Sequence, residues 1–192
     1  MKIRVYVAFR FQYFFFKTYP GFFLEVLPFS LLAGLIFLAV RRKGKDTSPK
    51  GQKAGACLFV CYVSALFCLV LLLDVIRHFW SLLLYGQPYE VPLQLFSFRN
   101  YNIIPDFFTS FDGESLGNIL AFLPFGILYP LFRPGSPWKK TVFMGFLCSL
   151  TIELLQPMLG RAFDINDIIL NTAGVILTAS VYELITKNRS KA

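Results

Sequence analysis

Five apolar runs, each long enough to cross a lipid bilayer, dictate what this chain of 192 residues can fold into. About 20 helical residues span the roughly 30 Å of hydrocarbon in a membrane. The runs cover 22–40, 54–73, 116–132, 141–159 and 165–186. Glu25 is the one charge in the first and Glu153 the one charge in the fourth, while the second and third hold none. The fifth is apolar from Ile168 to Tyr182, with Asp167 and Glu183 at its ends. Lipid offers no partner to backbone N–H and C=O groups, which leaves helices or closed barrels. Continuous rather than alternating apolar runs select helices. The expected fold is all-α, a polytopic transmembrane helix bundle of about five spans forming a single membrane domain over 1–192. Only 16% of the residues are charged, against about 25% in soluble domains, so a soluble enzyme of this size would lack a polar surface.

Basic residues orient such a bundle, because loops rich in Lys and Arg stay on the cytoplasmic side. Segment 41–53 has six basic residues against one Asp, and 133–140 carries Arg133, Lys139 and Lys140 unopposed. The tail after Glu183 is also basic. By contrast, 74–115 has five acidic residues against two Arg, and the turn 159–167 has Asp164 and Asp167 against Arg161. Five helices alternate with this pattern. The expectation is a multi-pass protein of the cell membrane with a cytoplasmic C-terminus. The net charge of +8 then faces anionic lipid heads, and nucleic acid is not an expected partner; membrane lipids are.

Residues 1–21 carry four basic residues on the side the scheme places outside. Arg10 interrupts the aromatic stretch from Ile3 to Phe16, so an interfacial amphipathic helix is favoured over a sixth span turning at Tyr19-Pro20-Gly21. No small-residue cleavage site follows. Cys57, Cys61, Cys68 and Cys148 all fall in spans, where they read as small packing residues rather than disulfide or metal partners. Between the second and third spans lie about 40 residues, punctuated by Pro88, Pro92 and Pro105 and rich in aromatics. Such a segment is expected to lie in the outer interface or re-enter it.

The polar residues within the spans gather in one layer. Glu25, Asn118, Asp167 and Asn171 fall in the outer parts of descending helices, and Asp74, Glu153 and Gln156 end ascending ones. Charge at membrane depth costs about 2.5–3.5 kcal/mol on insertion scales, so such groups have partners or a task. Ser149, Glu153 and Gln156 share a helix face at i, i+4, i+7, as Asp164, Asp167 and Asn171 do at i, i+3, i+7. Pro157 ends regular helix, and a tight turn at Gly160-Arg161 brings Glu153 and Arg161 toward Asp164 and Asp167. Gly126, Gly145 and Gly174 permit close helix approach.

Three blocks of this layer carry a resemblance. Asn102-Ile-Ile-Pro105 precedes the third span, with Asp106 following. Asn118-Ile-Leu-Ala-Phe-Leu-Pro-Phe-Gly126 gives Asn-x3-Phe-x-Pro-x-Gly. Glu153-Leu-Leu-Gln156 is joined to Arg161-Ala-Phe-Asp-Ile-Asn-Asp-Ile-Ile-Leu-Asn-Thr-Ala-Gly174. Together, over about 100–175, the chain resembles the VanZ-like family of bacterial membrane proteins. The resemblance implies a role in the cell envelope connected with low-level resistance to glycopeptide antibiotics, teicoplanin above all. It assigns no chemistry to individual residues and names no cofactor.

Other catalytic patterns are weak. Gly113-Glu-Ser115-Leu-Gly117 spells G-x-S-x-G but opens a membrane helix with no strand before it, and Asp112 or Ser115 as a helix cap explains it better. His78, four residues after Asp74, reads as an interface anchor rather than a proton shuttle. The candidate site is therefore Glu153, Asp164 and Asp167 as acid–base groups, with Asn118, Gln156, Arg161 and Asn171 as ligand-binding groups and no metal. The expected ligand is a glycopeptide antibiotic, a peptidoglycan precursor or another surface component that is bound, shielded or altered. The alternative is an enzyme modifying phospholipid or a lipid-linked peptidoglycan precursor. Few polar groups line the inner half of the bundle, which disfavours a transport path.

Overall fold

The computed structural model describes residues 11–43, 48–90, 95–96, 101–109 and 111–189. Among these residues it is all-α apart from one two-residue strand pair. Helix α1 is described over 11–17. It is followed by α2 (Tyr19–Lys43), α3 (Lys50–Val70), α4 (Leu73–Tyr85), β1 (Tyr101–Asn102), α5 (Gly113–Phe132), α6 (Trp138–Leu155), a 3-10 turn (Gln156–Leu159), β2 (Phe163–Asp164) and α7 (Ile165–Arg189). Five of these helices are long and apolar enough to cross a membrane, at Tyr19–Lys43, Lys50–Val70, Gly113–Phe132, Trp138–Leu159 and Ile165–Asn188. Each overlaps one of the five apolar runs, although α3 stops at Val70, short of the end of the run 54–73. Residues 1–10, which hold much of the expected interfacial stretch, lie outside the described part.

Helix α5 packs along α7 and against α3, α2 runs beside α3, and α6 lies on α7. The closest approach is α5 on α7. A Cβ at Gly126 would strike Thr178 Oγ1 and come within 2.5 Å of the Ala179 nitrogen. One at Gly174 would strike the Ile119 carbonyl. Small residues replace side-chain volume with backbone contact, the main attraction open to helices already in lipid. Thr178 uses the proximity, its Oγ1 donating to Leu123 O at 2.7 Å. Aromatic rings fill the seam between α3 and α5. Phe59 stacks on Phe132 at 4.9 Å and meets Phe125 edge-on at 5.4 Å, and the Tyr62 hydroxyl donates to Ala121 O at 2.8 Å.

The break between α3 and α4 falls at Leu71 and Leu72, so the stretch after the second span is a separate helix rather than an extension of it. Thr18, not Tyr19-Pro20-Gly21, divides α1 from α2. Its Oγ1 donates to Phe14 O at 2.6 Å and accepts from Gly21 N at 3.3 Å, while Pro20 sits in the first turn of α2. Proline is tolerated there because first-turn N–H groups have no intrahelical partner. Phe15 and Phe16 are buried, Phe15 edge-on to Trp80 of α4 at 5.9 Å.

Helix α5 begins with a reciprocal cap. Asp112 Oδ1 accepts from Ser115 N at 2.9 Å, and Ser115 Oγ accepts from Asp112 N at 3.4 Å. The G-x-S-x-G stretch is thus a helix start. The cysteines are free, with Cys57 and Cys61 set against Gly34 of α2.

Candidate functional site

Most of the polar residues named from the sequence meet where the ends of α5, α6 and α7 come together. Pro157 cannot extend α6, and the chain tightens into the 3-10 turn before reversing at Gly160, whose φ of 78° suits glycine. The reversal aims the start of α7 back at the last turn of α6. Glu153, only 1% exposed, accepts a short hydrogen bond from the Asp164 backbone N–H through Oε1. Its two oxygens also face the Gln156 amide. Because Glu153 and Ala162 O offer only acceptors, the amide nitrogen points at them, donating to Oε1 at 2.8 Å, Oε2 at 2.9 Å and Ala162 O at 3.0 Å. A buried carboxylate is costly without such donors.

One turn into α7, Asp167 Oδ1 accepts from Asn118 Nδ2 of α5 at 2.5 Å. One turn deeper, Asn171 Nδ2 donates to Ser149 Oγ of α6 at 2.9 Å, leaving its Oδ1 buried without a hydrogen-bond donor among the described residues. Asn118, Asp164 and Asp167 are half-buried, while Glu153, Gln156 and Asn171 are buried. The cluster therefore has a closed floor and a face reaching the surface. Among the described residues no group of three or more His, Cys, Asp or Glu side chains is placed to share an ion.

Arg161 lies near Glu153 and Asp167, but its hydrogen bond goes elsewhere. It is exposed, and its Nη1 donates to Val70 O, at the end of α3, at 2.5 Å. No carboxylate among the described residues lies within ion-pair distance of it. Glu25 sits at the same end of the bundle but in a second cluster. Fully buried on α2, it faces Arg77 Nε of α4 at 3.5 Å, and Arg77 reaches Asp74 at 3.6 Å. The Arg77 guanidinium lies 4.2 Å over Phe22. His78 Nδ1 contacts the backbone oxygen of Asp74 at 2.8 Å rather than its carboxylate.

Three residues that the sequence reading quoted only for the resemblance, and did not assign to the site, join it: Asn102, Asp106 and Asn166. Strand β1 pairs in parallel with β2, Tyr101 opposite Phe163 and Asn102 opposite Asp164, which lays 101–109 over the start of α7. Asn102 Nδ2 donates to Asp164 Oδ1 at 3.2 Å. Asn166 Nδ2 donates to Asp106 Oδ1 at 2.6 Å, and Asn166 Oδ1 accepts from Asp106 N at 3.0 Å. The signal was present as short polar blocks on both segments, but a two-residue strand has no periodicity to detect.

No solved structure matches this chain. A curated relative, Protein VanZ of Enterococcus faecium, is 31% identical over 126 residues, covering 64% of this chain and 76% of that protein. The match of residues 32–186 to the VanZ/LLP1 family takes in three complete spans, most of the last, roughly half of the first and the whole polar cluster, and by it the chain belongs to that family.

Proposed function

We propose that this protein acts in the bacterial cell membrane by binding or altering an envelope component at the Glu153–Asp167 cluster, lowering susceptibility to glycopeptide antibiotics such as teicoplanin. The observation that carries the reading is the Asn118–Asp167 clasp beside buried Glu153. It is a costly hydrogen-bonded floor beneath half-buried acidic groups, where a purely structural network would be closed on every side. Loop charge supports an outward-facing cluster and a cytoplasmic C-terminus.

Asp164 and Asp167 present acceptors to ligand N–H and O–H groups. Arg161, with one of its five N–H donors committed to Val70, engages a ligand carboxylate or phosphate. Asn118, Gln156 and Asn171 hold the floor in place. The likeness to Protein VanZ is the second support.

The experiment expresses the wild-type chain and the Asp167→Asn and Arg161→Gln variants in a glycopeptide-susceptible host. Raised tolerance to teicoplanin with wild type, lost in both variants at equal membrane abundance, supports the reading. Tolerance unchanged by either substitution overturns it. Turnover of a lipid-linked precursor by purified protein, abolished in Glu153→Gln while binding survives, replaces binding with enzymatic modification.

A further inference from the structure

We propose a second ligand site, between α1 and the chain just after α4, that seats the head group of a zwitterionic aminophospholipid. It shares no residue with the Glu153 cluster, so neither proposal depends on the other. Gly86, with φ of 69°, ends α4 and turns the chain back. That brings Tyr89 against α1, 5.5 Å from Phe16 between ring centroids. A cavity of about 240 Å³ remains, lined among others by Tyr13, Phe16, Lys17, Tyr85, Tyr89 and Glu90.

The charges of its lining define the ligand. Lys17 Nζ lies 5.6 Å from the centre of the Tyr89 ring. Lys17 and Glu90 line the same cavity, both exposed, yet form no ion pair with each other. The neighbouring Arg77 is already matched by Glu25 and Asp74. One cation and one anion facing a common space complement a ligand carrying both signs. A phosphodiester meets Lys17 and the tyrosine hydroxyls, and a primary ammonium meets Glu90, the Tyr89 ring already being met by Lys17 and Arg77. A simple anion leaves Glu90 facing like charge. The surroundings suit a lipid, since Phe11, Phe14 and Leu82 expose apolar surface nearby. Tyrosines also favour the depth of the head groups.

The test titrates the purified full-length protein with water-soluble dihexanoyl phosphatidylethanolamine, dihexanoyl phosphatidylglycerol and inorganic phosphate, followed by calorimetry. One phosphatidylethanolamine binds per chain, about tenfold tighter than phosphatidylglycerol, the scale of one charge-assisted hydrogen bond. Lys17→Gln weakens both lipids about tenfold, and Glu90→Gln removes the preference between them. Both side chains are exposed, so the variants keep the fold, checked by an unchanged melting temperature. Equal affinity for the two lipids in the wild type overturns the proposal, as does a preference surviving Glu90→Gln. Inorganic phosphate binding as tightly as either lipid also overturns it, by assigning the cavity to free anions.

Discussion

Asp106 and Asn166 exchange hydrogen bonds in both directions, side chain to side chain at 2.6 Å and backbone to side chain at 3.0 Å. The Phe107 N–H adds a third bond, to Asn166 Oδ1, at 3.4 Å. This pairing fixes 101–109 across the start of α7, over the Glu153–Asp167 cluster. Asn166→Ala removes the acceptor of two backbone N–H groups and one donor to the Asp106 carboxylate, which Asn102 still reaches. The expected cost is about 1–3 kcal/mol, confined to the overlying segment. Hydrogen exchange should accelerate at 101–109 in the variant while α5 and α7 keep their protection. Equal acceleration throughout would show instead that the pairing supports the whole bundle.

Glu25 and Arg77 form a second buried pair whose worth is measurable. Arg77→Met leaves Glu25 without its cation, and breaking a buried pair costs about 3–5 kcal/mol. The double variant Glu25→Leu, Arg77→Met should recover most of that loss, since it removes the stranded charge. Melting temperatures in detergent for the two single variants and the double variant close the cycle. Additive losses would mean the two groups act independently.

Close backbone approach makes α5 and α7 intolerant of volume. Gly126→Leu and Gly174→Leu should each cost more than about 1–3 kcal/mol, typical of overpacking, because fixed backbone atoms stand in the way at both, joined at Gly126 by Thr178 Oγ1. Gly113→Ala, at a position with open space around it, serves as control. Thermal unfolding in detergent ranks the three.

Hydrogen bonds from Ser115 hold the Asp112 carboxyl below the usual aspartate value of 3.8. The cap is therefore fully present above that value and is lost only as pH falls through the lower one set in the folded state. Amide exchange at 113–117, corrected for intrinsic rates, should stay protected at pH 5 in the wild type. It should be raised there in Asp112→Ala. Equal protection in both proteins would show that the cap contributes nothing.

The spans were legible because lipid imposes one rule on every residue: the apolar run 54–73 announces the second span, though not that its helix stops at Val70. The hairpin from Glu153 to Asp167 was legible because Pro157 and Gly160 are local instructions. The layer of polar groups was read as continuous, whereas the structure divides it in two. Glu25 belongs with Arg77 across α2 and α4, a pairing set by where the α3–α4 break falls, and Leu71-Leu72 carries no Pro or Gly to announce it. Asn166 was passed over beside Asp164 and Asp167 because its partner, Asp106, lies 60 residues away in sequence on a segment with no regular period.

Arg161 terminates another helix as well as flanking the acidic cluster. Val70 O sits where α3 has stopped and the next amides have turned away, so the guanidinium supplies the missing donor. An incoming anion that draws the side chain toward itself must leave that carbonyl to water. If the cluster binds an anion as proposed, its occupancy would reach the joint from which α4 departs, and a spin label at that joint would register it.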